Sequence, residues 1–299
     1  MKIVIAGGSG LVGQALTRSL TKRGDDVVVL SRDPSTVREG RGVAWGGASE
    51  EWKREIGTSA AVINLAGSGI AEKRWTEARK RDLRESRVSA TRALVDALKA
   101  SPDTARAFVS ASAVGYYGVR GDEELGESAP PDGSFLSRLA VEWEAEATRA
   151  EGVARVVVLR IGIVLSTQGG ALAKMLLPFR LGIGGRLGGG AQWMSWIHID
   201  DLVAMFEWAI ANPAAHSAYN ATAPEPVTNA QFTRALGAAL QRPTLIPAPA
   251  FALRAMFGEM AEPLLITGQR VLPVRALEEG YSFVHQSLPG ALERLLHRV

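Results

Sequence analysis

The first residues of the chain predict a strand, a glycine-rich turn and a helix in direct succession. Ile3–Ala6 is an apolar run like a buried strand, and Gly7, Gly10 and Gly13 follow it before an apolar-periodic stretch. In such a turn Gly7 permits the tight reversal, Gly10 lets backbone N–H groups approach a pyrophosphate, and Gly13 lets the helix pack against its strand. The phosphate would sit at the positive end of the helix. Although glycines at this spacing also occur in turns that bind nothing, their position between a strand and a helix predicts a dinucleotide-binding turn.

The end of the next apolar run indicates which dinucleotide the turn would accept. Val27–Leu30 leads into Ser31, Arg32 and Asp33, where such folds contact the adenosine ribose. An acidic residue there would favour NAD, whereas the planar guanidinium of Arg32 suits a 2′-phosphate and Ser31 adds a second donor. The sequence therefore favours NADP. The alternative is that Arg32 is an ordinary solvated residue and that Asp33 contacts the ribose, although Asp33 followed by Pro34 is typical of a turn.

Composition limits the remaining function classes. A chain of 299 residues with 46% hydrophobic and 22% charged residues can bury a large core, and it suits one compound domain or two closely packed ones. The net charge is only +3, with basic and acidic residues interleaved, so nucleic-acid binding is not implied. The absence of cysteine excludes disulfides and thiolate chemistry. The histidines follow no metal-ligand spacing, so we expect no metal site. They are His198, His216, His285 and His297.

The sequence shows no membrane or export segment. It begins directly in a strand pattern without a charged and then apolar leader, and no apolar run approaches the roughly 20 residues that span a bilayer. We therefore expect a cytoplasmic protein that binds neither a membrane nor nucleic acid and whose partner is a small-molecule substrate.

Apolar strand-like runs alternate with helical patterns along the chain. The strand-like runs include Ala61–Gly67, Ala107–Ser112 and Arg155–Ile161, and a long arginine-rich helix is predicted from about Thr76 to Lys99. Continuous Val, Ile and Leu runs are typical of parallel strands that helices cover on both faces. The sequence therefore predicts an α/β fold with a Rossmann-type, doubly wound parallel sheet.

Several segments share the order and the motifs of a known superfamily. Gly7–Gly13 matches its cofactor turn, and Asn64–Gly67 matches the end of its third cofactor strand. Ser110–Gly118 is similar to its active-site serine strand, and Trp196–Asp201 to its Val-His-Asp-Asp segment. The chain thus resembles the extended short-chain dehydrogenase/reductase superfamily, in particular its NAD-dependent epimerase/dehydratase-like members. Four further segments resemble an epimerase-like, NADP-binding branch with a small extra C-terminal domain. They are Arg74-Trp75, Ser86–Val88, Leu177–Gly182 and Gly268–Pro273.

The resemblance implies a Rossmann domain over residues 1–165, to which residues 197–223 return, and a smaller α/β substrate lobe over residues 166–299. A family-specific C-terminal segment would cover about residues 248–296. NADP would lie across the carboxyl ends of the strands, and the resemblance allows a homodimer formed through the helices that follow the serine strand. The residues expected to contact the cofactor are Gly7, Ser9, Gly10, Leu11, Val12, Gly13, Ser31, Arg32, Leu65, Ala66, Gly67, Asp82, Arg87 and Ile163.

Three of these assignments have a plain structural alternative. Asp82 and Arg87 lie on the long helix, which is charge-rich throughout, and they can equally be solvated surface charges. Ile163 falls where the backbone of the superfamily meets the nicotinamide amide, but its side chain also suits a core position. The sequence leaves both interpretations open for each of the three.

Three ring side chains near the middle of the chain have structural interpretations as well. His198 is expected to be a buried structural histidine, just before a helix that Asp200 or Asp201 caps. Trp193 and Trp196 follow a glycine-rich stretch. They would either wall a substrate pocket or fill the interface between the lobes.

The chain departs from the superfamily in its catalytic residues. In that superfamily a tyrosine, whose pKa is lowered by a lysine four residues later, exchanges a proton with the substrate oxygen while a serine holds that oxygen. No Tyr-x-x-x-Lys occurs in this sequence, and Phe135 stands where the tyrosine is expected. Ser112 keeps the serine position, unless it is merely a small residue at a strand end. Tyr116 and Tyr117 are the remaining candidate proton donors, although Arg120, four residues after Tyr116, need not lie beside it in an irregular loop.

Two functions from different classes follow. The first is an NADP-dependent oxidoreductase or epimerase-like enzyme acting on a small carbonyl or hydroxyl compound, nucleotide sugars included, with Ser112 orienting the substrate and an unconventional proton donor. The second is a catalytically silent NADP(H)-binding redox sensor or regulatory protein. A wet pocket beside the nicotinamide would favour the enzyme, whereas a pocket sealed by Phe135, Trp193 or Trp196 would favour the sensor.

Overall fold

The computed structural model describes residues 1–46, 49–103 and 106–296, and His297 lies outside them. Strands and helices alternate along most of the described chain. The strands are β1 (Lys2–Ala6), β2 (Asp26–Ser31), β3 (Arg41–Ala44), β4 (Ala61–Asn64), β5 (Ala107–Ala113), β6 (Glu124–Leu125), β7 (Arg155–Ile161), β8 (Ile163–Leu165), β9 (Trp193–Met194), β10 (Trp196–His198), β11 (Ser217–Ala221), β12 (Val227–Thr228) and β13 (Arg270–Val271). The α-helices are α1 (Leu11–Lys22), α2 (Glu51–Gly57), α3 (Glu77–Ala100), α4 (Phe135–Thr148), α5 (Gly170–Arg180), α6 (Ile199–Ala211), α7 (Asn229–Leu240), α8 (Ala250–Phe257), α9 (Val274–Glu278) and α10 (Leu288–Leu296).

A seven-stranded sheet forms the centre of the molecule. Its strand order is β11-β7-β5-β4-β1-β2-β3, and every neighbouring pair is parallel. From β1 the chain moves outward to β2 and β3, and it then returns to the other side of β1 as β4. In such sheets ligands bind at the carboxyl ends of the strands, where the direction of winding reverses. The predicted doubly wound α/β fold is confirmed, and the site is to be sought where β1 and β4 end.

Alternate residues of the central strands pack against helices on opposite faces of the sheet. Ile3 and Ile5 of β1 contribute to one core layer, which includes side chains of α1 and α6. Val4 and Ala6 contribute to the other layer, with side chains of α2 and α3. All four residues are fully buried, as the continuous apolar runs predicted for strands covered on both faces.

A smaller group of elements packs around a core of its own. Side chains of α5, α7 and α10 form this core together with Trp196 of β10. The pair β8–β10 is parallel and the pair β9–β12 is antiparallel. Strand β11 follows α6 and joins the central sheet beside β7. None of the helices in the described ranges is long and apolar enough to cross a membrane.

Side chains cap the starts of three helices that position the site. The Thr76 hydroxyl accepts the Arg79 N–H at the start of α3. Thr228 and Gln231 form a capping box at the start of α7. Helix α6 is capped by His198 itself, whose Nδ1 accepts the N–H two residues later at 3.0 Å, so the expectation that an aspartate caps this helix is wrong.

Candidate functional site

The glycine turn after β1 adopts a backbone conformation that side chains would disturb. Gly7 has a φ of +82°, and a Cβ on it would lie 2.5 Å from the Leu65 carbonyl oxygen. A Cβ on Gly13 would lie 2.4 Å from the Gly7 carbonyl oxygen. Both distances are far inside van der Waals contact. The packing of the turn against β4 and α1 therefore requires glycine at these two positions.

Gly10 differs from these two, because packing does not require glycine there. Its φ is −75°, and a Cβ would meet a single atom, the Gly7 carbonyl oxygen, at 3.4 Å. Gly10 and Ser9 are exposed. No side chain caps α1, whose first two residues are Leu11 and Val12. The first N–H groups and the positive end of the helix dipole are thus open at the turn. This end of α1 suits the close approach of a phosphate group.

The loop after β2 leaves a cationic side chain open to solvent. The Asp33 carboxylate accepts hydrogen bonds from the N–H and the hydroxyl of Ser35, at 3.1 and 2.6 Å, so it stabilises the turn. The Ser31 hydroxyl donates to the Asp33 carbonyl oxygen at 2.9 Å. Arg32 is exposed, and the described part of the chain gives its guanidinium no ion pair. These contacts favour Arg32 over Asp33 as the residue free to bind a ribose phosphate.

The segment after β4 lies beside the glycine turn. Leu65 is half-buried, and its carbonyl group packs against the turn. The Asn64 side-chain oxygen accepts the Ala66 N–H at 3.2 Å and so fixes the end of the strand. Gly67 is exposed, and a Cβ on it would lie 3.1 Å from Cζ of Arg87. The backbone of this segment and the Arg87 guanidinium thus lie together at one edge of the crevice.

Arg87, on α3, is a partly buried cation whose contacts are all uncharged. Its guanidinium donates to the carbonyl oxygens of Leu83 and Ser68, each at 3.0 Å, and its Cζ lies 5.3 Å from the Trp143 ring centroid. Burial, and to a smaller extent the positive charge of Arg79, lowers the pKa of Arg87 to about 10. An anionic ligand in the crevice would compensate this charge, which favours a binding role over a solvated one.

Two other residues that were predicted to contact the cofactor already form an ion pair or a hydrogen bond within the chain. Asp82 forms an ion pair with Arg79, which also donates to the Gly69 carbonyl oxygen. Ile163 donates its N–H to the Ser195 carbonyl oxygen at 2.7 Å and lies in the parallel pair β8–β10. Asp82 therefore supports the loop after β4 through Arg79, and the Ile163 N–H is not open to a nicotinamide group.

A buried polar network lies at the carboxyl ends of β5 and β7. Ser112 donates from its hydroxyl to Glu144 Oε1 at 2.6 Å. Arg160, within the apolar strand β7, donates to both oxygens of Glu144, at 2.9 and 2.8 Å. The Arg160 and Glu144 side chains are only 6% and 12% exposed. Each charge is therefore compensated almost entirely by the other, and Ser112 is oriented by the pair.

Both candidate tyrosines contact Arg160, but in different ways. Tyr117 is fully buried, and its hydroxyl accepts from Arg160 at 2.9 Å and donates to Asn220 Oδ1 at 2.6 Å. Burial raises the pKa of Tyr117 to about 12, so it is a poor proton donor. Tyr116 is half-buried, with its ring centroid 3.5 Å from Cζ of Arg160. Arg120 lies elsewhere and donates to a carbonyl oxygen of the following loop. The structure thus gives Tyr117 a structural position and leaves Tyr116 partly accessible.

The position of the expected catalytic tyrosine is apolar. Phe135, the first residue of α4, packs edge-on against Trp75, with ring centroids 5.1 Å apart. Leu139 stands one turn later, where the lysine is expected, and belongs to the same apolar cluster as Trp75 and Met260. None of these four side chains exchanges a proton at neutral pH. The residues that replace the pair are therefore packing residues.

The two tryptophans near the glycine-rich stretch have different positions. Trp196 is fully buried in the core of the smaller lobe, and its indole N–H donates to the Glu225 carbonyl oxygen at 2.9 Å. Trp193 donates to the Asp122 carboxylate at 2.7 Å, and its ring centroid lies 4.5 Å from Cζ of Arg270. The interface interpretation therefore fits Trp193, whereas Trp196 is a core residue.

His198 and His285 lie together, which their spacing in the sequence did not indicate. Their rings stack with centroids 3.7 Å apart, and Asp200 completes a group whose ligand atoms lie within 4.8 Å of one another. The rings are inclined by only 28°. Because lone pairs lie in the plane of each imidazole, nearly parallel stacked rings do not direct them at one ion. The geometry is that of a stacked pair, not of a tetrahedral or octahedral metal site.

Comparison with known proteins supplies the family. A model of the NAD dependent epimerase/dehydratase family matches residues 3–222, well over half of the chain. The chain belongs to this family. A model of a domain of unknown function, DUF1731, matches residues 248–295. The resemblance inferred from the sequence motifs, including the extra C-terminal segment, is confirmed.

Relatives of this epimerase-family chain match over most or all of their length. A Mycobacterium tuberculosis epimerase family protein is 41% identical, covering 97% of this chain and 96% of its own. An Arabidopsis thaliana homologue of SDR39U1, described as chloroplastic, is 38% identical, covering 99% and 87%. The crystal structure of human SDR39U1 with NADPH superposes with a TM-score of 0.90 at 36% identity, covering 100% of both chains. The cytoplasmic location expected from the sequence stays a prediction, since a relative is chloroplastic.

The main residues that sequence reasoning missed are Glu144, Arg160 and Asn220. Glu144 lies on an amphipathic helix and resembles any surface carboxylate in the sequence. Arg160 did give a signal, because it interrupts the otherwise apolar run Val156–Ile161. A charge in a strand covered on both faces requires a buried partner. That requirement predicts an acidic partner but not which one.

Proposed function

We propose that the protein binds NADP across the carboxyl ends of β1, β2 and β4. The observation that carries the proposal is the open N-terminus of α1. Packing would tolerate a side chain on Gly10, so the glycine there is not explained by the fold. The free guanidinium of Arg32 supports NADP over NAD, and Arg87 offers a second cation at the opposite edge. The human relative that was crystallised with NADPH agrees with this choice.

The cofactor preference is tested by Arg32→Ala. We expect NADPH binding to weaken by about 2 kcal/mol, because a charge-assisted contact with the 2′-phosphate is lost, and NADH binding to stay nearly unchanged. Arg38→Ala is the matched control, since Arg38 is an exposed arginine a few residues further along the chain. Equal losses for both dinucleotides, or an equal effect of the control, would remove Arg32 from this role.

We propose that the protein is an NADP-dependent oxidoreductase or epimerase-like enzyme acting on a small carbonyl or hydroxyl compound. Bound NADP supplies the hydride chemistry. In the chain itself, Ser112 directs its proton to Glu144, so its oxygen can accept a hydrogen bond from a substrate hydroxyl. Tyr116 is the candidate proton donor, because it is partly accessible and its ring lies against the Arg160 cation.

The proton-donor assignment is tested by a pair of neighbouring tyrosines. We expect Tyr116→Phe to lower turnover by roughly a hundredfold or more, the range typical of a lost general acid, with cofactor binding retained. Tyr117→Phe removes a buried hydroxyl that bonds Arg160 and Asn220, so it should lower stability rather than the chemical step. Unchanged turnover of Tyr116→Phe would exclude Tyr116 as the donor.

The second candidate function is a silent NADP(H)-binding sensor or regulatory protein. It is favoured by the apolar cluster of Phe135, Leu139, Trp75 and Met260 that stands in place of the tyrosine and lysine. Two assays separate the functions: transfer of label from NADPH to a panel of ketones, and epimerisation of nucleotide sugars in the presence of oxidised NADP. Activity in either assay establishes an enzyme, whereas tight NADPH binding without activity in both supports the sensor.

The expected dimer surface does not favour association. The outer faces of α3 and α4 carry the ion pairs Arg84–Glu142, Arg92–Glu146 and Arg149–Asp96. Val141 is the large apolar residue of α4 that is exposed there. Since stable dimer interfaces have an apolar core, we propose that this face remains in solvent. Sedimentation velocity of the purified chain tests this, and a dimer that Val141→Arg dissociates would contradict it.

A further inference from the structure

The smaller lobe exposes large apolar side chains on two segments, the end of α5 with the loop after it, and the loop before α8 with the first turn of α8. Leu245 and Phe251 are 84% and 75% exposed. Large contiguous patches of exposed apolar side chains often mark interaction surfaces. We name this set the apolar surface. It comprises Leu177, Leu181, Ile183, Leu245, Ile246 and Phe251.

The two segments lie side by side where the loop after α5 meets the loop before α8. The Gly188 N–H donates to the Ala248 carbonyl oxygen at 2.8 Å, and the Ala248 N–H donates to the Arg186 carbonyl oxygen at 2.9 Å. A Cβ on Gly185 would lie 1.9 Å from the Ile246 carbonyl oxygen. Backbone contact along this length holds Leu181 and Ile183 next to Leu245 and Ile246.

The segments that form the apolar surface contain no acidic residue. Residues 161–199 and 226–258 hold six lysines and arginines, and none of the 31 acidic residues of the chain. Arg254 pairs with Glu262 from outside these segments. The other five are exposed, and within the described ranges they form no ion pair. They are Lys174, Arg180, Arg186, Arg234 and Arg242.

A cavity at the edge of the apolar surface brings two of these cations together. It measures about 290 Å³ and is lined by Arg186, Arg234, Thr233, Thr244 and Leu245, among others. Two guanidinium groups and two threonine side chains provide donors for phosphate oxygens. The cavity is large enough for a phosphate ester group at the surface.

We propose that the apolar surface docks on a membrane that contains anionic lipids. Exposed apolar side chains together with cations that form no ion pair within the described ranges are the combination that binds the interface of such a membrane, with the apolar groups inserted and the cations at the phosphates. A second copy of this chain fits poorly, because it would bring the same five cations against one another. Sequence patterns did not indicate this membrane contact, and the proposal does not depend on cofactor binding.

The proposal is tested by sedimentation of the full chain with neutral phosphatidylcholine vesicles and with vesicles that also contain phosphatidylglycerol. We expect binding to the anionic vesicles alone, weakened by added salt. Arg186→Gln and Arg242→Gln should each reduce the affinity about fivefold, the equivalent of ~1 kcal/mol per charge. Leu181→Ser and Ile246→Ser should also reduce it, because both side chains would lose their insertion into the lipid.

Matched controls are available on other faces. Val284 is 79% exposed, so Val284→Ser removes an exposed apolar group of similar kind, and Lys22→Gln removes an exposed cation at the end of α1. Neither should change vesicle binding. Failure to bind anionic vesicles, equal binding to neutral ones, or equal effects of the controls would overturn the proposal. Self-association that Leu181→Ser abolishes would assign the surface to a second copy instead and would also overturn it.

Discussion

At the scale of single residues, Arg160 organises the carboxyl ends of β5 and β7. It holds both oxygens of Glu144, donates to the Tyr117 hydroxyl and lies against the ring of Tyr116. Through Glu144 it also fixes the rotamer of Ser112. One buried cation therefore determines the positions of all three residues that the sequence nominated for catalysis.

Removing Glu144 of α4 from its buried ion pair should lower the stability far more than removing a carboxylate of the same helix from an exposed ion pair. We expect Glu144→Gln to lower the free energy of unfolding by about 3 kcal/mol or more, because it leaves the Arg160 charge without its partner. Glu142→Gln, which removes the exposed partner of Arg84, should cost under ~1 kcal/mol. Urea unfolding of both variants provides the comparison, and equal losses would contradict the account of the network.

Buried tyrosines should make stability fall in alkaline solution. Burial raises the pKa of Tyr117 and of Tyr219 to about 12, and it raises the pKa of Tyr281 as well. Tyrosines of the unfolded chain ionise near pH 10, so between about pH 10 and 12 the native state binds more protons and its stability decreases as pH rises. The lowered pKa values of Arg87 and Arg155 act in the opposite direction, but they are two groups against three. Urea unfolding across this pH range should show the fall, and a constant or rising stability would disagree.

At the scale of elements, the turn between β1 and α1 contains two kinds of glycine. Some are required by the packing of the fold, whereas one is explained only by the approach of a ligand. A Cβ on Gly13 would clash at 2.4 Å, whereas a Cβ on Gly10 would meet one atom at 3.4 Å. Gly10 also has an ordinary extended backbone, with a φ of −75° and a ψ of 172°. Evidence for a phosphate site therefore rests on Gly10 rather than on the pattern of three glycines.

The two glycines give a direct test of that distinction. We expect Gly13→Ala to lower the free energy of unfolding by roughly 1–3 kcal/mol, as other overpacking substitutions do, whereas Gly10→Ala should leave it nearly unchanged. Gly10→Ala should instead weaken NADPH binding, because its methyl group would occupy the path of the phosphate. Thermal unfolding and NADPH titration of both variants measure these effects. A Gly10→Ala protein that binds NADPH normally would argue against phosphate binding at α1.

The sequence predicted structure that depends on residues close together along the chain, but not contacts between residues far apart in it. Local patterns predicted the glycine turn, the parallel strands, and the long helix from about Thr76, which the structure begins at Glu77 with Thr76 as its cap. Contacts between distant segments were not predictable. The pairs Glu144–Arg160 and His198–His285 join residues on different elements, and their side chains carry no local sign of the partner.

At the scale of the whole molecule, the C-terminal segment is tied into the end of the central sheet. Asn220 of β11 donates from its side chain to the Leu272 carbonyl oxygen at 2.8 Å. Glu127 accepts the N–H groups of both Asn220 and Arg275, at 2.9 and 3.2 Å. Because Asn220 also bonds Tyr117, the segment matched by DUF1731 and the Arg160 network share partners. The extra domain therefore supports the candidate site.

The most direct test of the cofactor assignment is titration of the purified protein with NADPH and with NADH. Tryptophan quenching and nicotinamide fluorescence would follow binding. The account predicts tight NADPH binding and an affinity for NADH lower by at least about tenfold, in line with one lost charge-assisted contact. Equal affinity for the two would contradict the role of Arg32. Binding of neither would show that the turn before α1 is structural and would contradict the central claim.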